Sequence, residues 1–112
     1  MSIHFKTKTP NNLLKTFKKA VDEGHVTTWS YDKEGDFTHK TEQWKNLAWL
    51  RPKVLDKEEL ILYIIKPKNK TVSKEVYAIY HGRFIESMLA HCDTLFLEGI
   101  ATAEASKYDI IN

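Results

Sequence analysis

Apolar residues between positions 10 and 23 recur at helical spacing: Leu13, Leu14, Phe17, Ala20 and Val21 fall in one arc, with Lys15, Lys18 and Lys19 opposite. This predicts an amphipathic helix over 10–23. Thr9-Pro10 marks its start, with a capping side chain ahead of a proline in the first turn, and Gly24 supplies the left-handed residue that ends it. After Gly24 the period shortens to two. Residues 26–31 read as a β-rich stretch, 32–36 as a turn, 37–41 as a returning strand and 42–47 as a loop. Residues 48–54 read as another strand, in which Pro52 favours an edge position or a bulge.

The most apolar strand is predicted over 59–66, where Leu60, Leu62 and Ile64 face one way and Ile61, Tyr63 and Ile65 the other, the pattern of a central strand covered on both sides. A polar turn over 67–70 leads to a second helix, capped by Thr71 or Ser73 and reaching about Cys92. Its apolar arc holds Tyr77, Tyr80, Phe84, Ile85, Met88, Leu89 and Cys92. A last strand is expected over 94–102 with a bulge at Gly99, a short strand over 3–6, and a flexible tail over 103–112.

These elements predict an α+β fold: a single domain over 1–102, in the order α-β-β-β-β-α-β, with two helices packed on one face of a largely antiparallel sheet of four to five strands. The second apolar row of the 60–65 strand then needs its own cover, from the tail, a loop or a second subunit, so a homodimer is among the expectations.

Composition narrows the class. With 112 residues, 42% of them hydrophobic, the chain can bury one core without disulfide or metal staples. Cys92 is the single cysteine, which excludes an internal disulfide and a cysteine-pair zinc site and fits a reducing, cytoplasmic setting. The longest apolar run, 60–65, is far short of the roughly 20 residues of a membrane-spanning helix, and the opening residues lack the apolar stretch of a secretion signal.

The formal net charge of +2 hides a block pattern. Residues 1–21 carry five lysines and no acid, 22–36 carry five acids and one lysine, and 66–74 carry four lysines and no acid. Lys66, Lys68, Lys70 and Lys74 surround the start of the second helix, where a phosphate backbone would find both cations and the positive end of the helix dipole. A second candidate surface mixes aromatic and basic groups: Trp49, Arg51 and Lys53 share one face of a strand, Trp29 and Tyr31 share another, and Trp44 lies in a polar stretch where partial exposure is expected. Such rings stack on bases or anchor protein interfaces.

The five histidines lack the i, i+4 pairing of helical metal sites, and no metal or cofactor is predicted. No nucleophile motif, phosphate-cradling glycine loop or dinucleotide fingerprint is present. The leading expectation is therefore a small non-catalytic binding module that contacts nucleic acid or a protein partner through a basic and aromatic surface. The alternatives are a small enzyme or ligand-binding domain with a pocket near His81, using Tyr80 and Arg83, and an accessory or inhibitor protein acting through protein contacts.

Overall fold

The computed structural model describes residues 2–55, 58–103 and 109. Along the chain it runs β1 (Ser2–Lys6), α1 (Pro10–Asp22), β2 (Trp29–Tyr31), β3 (Phe37–His39), β4 (Trp49–Leu55), β5 (Glu59–Ile65), α2 (Lys74–Cys92) and β6 (Glu98–Ala101). The six strands form one sheet in the order β2-β3-β4-β5-β1-β6, with every neighbouring pair antiparallel. The α+β class holds, with six strands in place of four to five. The sixth is β1, the short strand expected over 3–6 but left out of the predicted order, whose five residues pair with β5 on one side and β6 on the other.

Helix α1 buries Leu13 and Phe17 and ends at Gly24, whose φ of 78° lets two turn-closing bonds form, His25 N–H to Ala20 C=O and Gly24 N–H to Val21 C=O. Its start differs from expectation: Thr9 makes no side-chain cap bond, and Pro10 alone, with no N–H to satisfy, marks the boundary. Helix α2 is capped by the Ser73 hydroxyl, which accepts the Val76 N–H. Its inner face carries Tyr77, Tyr80, Phe84, Met88 and Cys92, together with His81 and Ser87. Leu89, expected in that arc, is 53% exposed. The inward stripe is narrower than the apolar arc of the sequence, and Leu89 falls outside it.

Both helices pack on one face of the sheet, against Ile3, Phe5, Phe37, Leu50, Leu60, Leu62 and Ile64. On the opposite face Ile61 is fully buried within the single chain, flanked in register by His4 and Lys53. Its burial needs no second subunit.

Two strand irregularities resolve physically. Pro52 sits in β4, which has neighbours on both sides, but β3 pairs with β4 only at Phe37–Leu50. The Ile64 N–H points away from β4 toward Asp109, so the alternating pattern aims the position of Pro52's missing N–H at the side β3 has already left. Pro52 is thus locally at an edge. Gly99 does not form the expected bulge, since the β1–β6 register is continuous. It is small because the Phe5 ring lies over it: a Cβ there would meet Phe5 Cε1 at 3.0 Å. Of the expected tail, only Asp109 beyond residue 103 belongs to the described residues; its carboxylate accepts from Ile64 N–H and the Tyr77 hydroxyl.

Gly99→Ala is expected to cost about 1–3 kcal/mol through overpacking against Phe5. Gly82→Ala, on the exposed side of α2 with nothing near a new Cβ, is expected to add about 0.5–1 kcal/mol by removing helix-interior glycine entropy. Urea unfolding of the two variants checks the opposite signs.

Candidate functional site

The basic turn forms because β5 is followed by Pro67 and by Asn69, the latter at a left-handed φ of 61°, with Lys70 N–H returning to Pro67 C=O. The reversal brings Lys66, Asn69, Lys70 and Thr71 around an open depression of about 570 Å³ just before α2. Lys68, Lys70 and Lys74 are exposed and Lys66 is half-buried. Among the described residues none of the four forms an ion pair, whereas Lys6, Lys45, Arg51 and Arg83 each lie within 4 Å of a carboxylate. Lys15, Lys18 and Lys19 of α1 line a separate depression with Asn11, Leu14 and Asp22. Lys18 there lies 5.3 Å from the centre of the Tyr31 ring.

The aromatic candidates do not form one surface. Trp29 is fully buried on the helix-covered face, in edge contact with Tyr80, Phe84 and His39, and Tyr31 packs on the same side against Phe37. Trp49, Arg51 and Lys53 point from the other face of β4, because Leu50 between them is core. Arg51 is tied to Asp36 by two bonds of 2.8 and 3.0 Å and lies 3.6 Å from Glu34. That pairing, above all, raises the Arg51 pKa, so the guanidinium stays charged. Asp32, Glu34 and Asp36 have ligand atoms within 4.8 Å of one another, the one such acidic cluster among the described residues. Arg51 supplies the positive charge beside it.

Trp44 is half-buried and held by its backbone: the Tyr80 hydroxyl donates to the Trp44 carbonyl and accepts the Leu47 N–H, while Asn46 turns the chain at φ 57°. This arrangement completes a cleft of about 220 Å³ between α2 and the ends of β2 and β3, lined by Thr28, His39, Thr41, Trp44, Arg83 and Glu86. The sequence had pointed to Arg83 but paired it with His81. His81 is instead inside the core, its Nδ1 donating to the Tyr77 carbonyl at 2.6 Å. The histidine in the cleft wall is His39, which the sequence reading missed; it sits at the end of a three-residue strand with no local pattern to mark it.

His39 is 4% exposed. Its Nδ1 takes the Thr41 N–H at 3.3 Å and contacts the Thr41 hydroxyl at 2.9 Å. A backbone N–H can only donate, so Nδ1 is unprotonated and the neutral ring carries its proton on Nε2. Burial first, and then the charge of Arg83, push its pKa below the ordinary histidine value, with Glu86 opposing. Cys92, the single thiol, is buried and its pKa is raised by that burial and by Asp93, which favours the inert thiol.

The lowered pKa of His39 has a definite sign. The unfolded chain takes up the proton more readily, so stability is full above pH 6.5 and falls as pH drops below it toward the folded value. Denaturant midpoints measured from pH 7.5 to 5 are expected to fall, and His39→Gln is expected to flatten part of that slope. Comparisons with protein families, with characterised proteins and with solved structures give no match to this chain.

Proposed function

We propose that the protein is a non-catalytic binding domain whose basic turn, Lys66 to Lys74, holds the phosphate backbone of a nucleic acid. The observation that carries this reading is the set of four lysines, none ion-paired among the described residues, of which Lys66 and Lys70 line an open depression just before α2 while Lys68 and Lys74 are exposed nearby in the chain. Lys6, Lys45, Arg51 and Arg83 sit beside carboxylates, where an incoming phosphate would have to compete. Here the lysines would exchange only water and counterions, and counterion release favours binding at low salt.

The two side chains best suited to chemistry, His81 and Cys92, lie on the buried face of α2, which supports a binding role over a catalytic one. Of the aromatic candidates, Trp44 keeps part of its surface open, while Arg51 is engaged by Asp36 and contributes less free charge. A cytoplasmic setting fits the single, reduced thiol. Among the described residues no helix is long and apolar enough to cross a membrane.

Fluorescence anisotropy with short mixed-sequence DNA and RNA tests the reading. Three to four phosphate contacts predict a loss of affinity of roughly 40- to 150-fold between about 50 and about 200 mM salt. Lys68→Glu with Lys70→Glu, both exposed, is expected to abolish most binding at the lower salt without changing the circular dichroism spectrum. Binding and salt slope unchanged in this variant, or no binding at the lower salt, would overturn the proposal.

A further inference from the structure

A second site, independent of the basic turn, lies in the cleft between α2 and the β2–β3 ends. Its charged groups are Arg83 and Glu86, one turn apart on α2, with Arg83 Nη1 and Glu86 Oε1 3.5 Å apart and the side chains 52% and 66% exposed. An ion pair this long and this wet contributes little, so either partner is available for exchange with a ligand. Facing them, His39 contributes a neutral ring whose Nδ1 is held by Thr41. That leaves its proton on Nε2, for which no acceptor is found among the described residues. Thr28 and the partly open Trp44 complete the wall.

The charge balance of this wall is one cation, one anion and a neutral donor. A simple anion drawn to Arg83 would be repelled by Glu86, and a simple cation would meet the reverse conflict. A molecule carrying both charges close together satisfies both groups at once, replacing one weak internal pair with two. The volume sets the scale: 220 Å³ lies below the roughly 300–1,000 Å³ of clefts for drug-sized ligands, and equals about seven waters at liquid density.

We propose that the cleft binds a small ammonium carboxylate, a free amino acid, with its carboxylate on Arg83, its ammonium group on Glu86 and a hydrogen bond from the His39 ring. Arg83 suits the first role because its planar fork matches a carboxylate. The neutral state of His39 suits the third, because a charged imidazolium would leave the wall with a net positive charge.

The test is a titration of the isotope-labelled full chain, followed by amide and indole NMR signals, with the twenty protein L-amino acids one at a time. Acetate and methylamine serve as half-molecule controls. At least one amino acid is expected to give saturable shifts at Thr28, Thr41, Trp44 and Arg83, with acetate and methylamine at least tenfold weaker. Arg83→Gln and Glu86→Gln, both on the exposed side of α2, are each expected to weaken that binding about tenfold or more. Three results would overturn the proposal: no saturation by any of the twenty, acetate binding as well as the best amino acid, or tighter binding by Glu86→Gln, which would mark a plain anion site. Loss of nucleic-acid binding by the lysine variant bears only on the basic turn, so the two proposals fail separately.

Discussion

The ring of Phe84 is the contact on which the rest of the molecule depends. From the middle of α2 it meets Phe5 of β1, Phe17 of α1, Trp29 of β2 and Phe37 of β3, at centroid distances of 5.0 to 6.3 Å and in tilted or edge-on geometry. Aromatic pairs in such arrangements contribute beyond the area they bury. One side chain thereby joins both helices to both halves of the sheet. The far-apart strands β2 and β1 have no hydrogen bonds to each other, and it is this cluster, with Leu50, Leu60, Leu62 and Ile64 beneath it, that fixes their relation. The position of Arg83 follows directly, since it is the residue before Phe84 and is carried to the cleft by the same turn of helix.

Much of this was legible in the sequence, for reasons that are local. The 3.6-residue pattern of α1 and the glycine at its end act within one or two turns, and the structure follows both. The basic turn was legible because Pro67, Asn69 and Ser73 set the backbone from nearby positions. What escaped the sequence is non-local. A glycine in a strand reads equally as a bulge or as room for a neighbour's ring, and only the register placing Gly99 opposite Phe5 decides. Leu89 fits the apolar arc by spacing, yet the buried stripe of α2 is narrower than that arc. His39 carries no sequence signal, because its tautomer is set by the bend at Thr41 and its charge environment by two residues of a distant helix.

The surface follows a division of labour between paired and unpaired cations. Arg51 is clamped by Asp36 and braced by Glu34, which fixes the hairpin between β2 and β3 onto β4. The lysines of the 66–74 turn form no ion pair among the described residues, whereas those of α1 share their depression with Asp22 and Lys18 lies over the Tyr31 ring. The sheet's two edges are both short, three residues in β2 and four in β6. Short edges limit unintended strand pairing even where Leu97 and Ile100 are exposed beside one of them.

The placement of β1 between β5 and β6 bears on how the chain is made. Its backbone partners lie more than fifty residues downstream, and Ser2 bonds to Thr102 across most of the sequence. During synthesis Ile3 and Phe5 precede both strands that pair with them, so β1 stays unpaired until β5 and β6 have left the ribosome. Closing such a long loop is entropically slow, and exposed strand edges invite association in the meantime. The central strands β4 and β5 are neighbours in sequence and pair without it, so the long loop closure falls on the β5-β1-β6 side of the sheet alone.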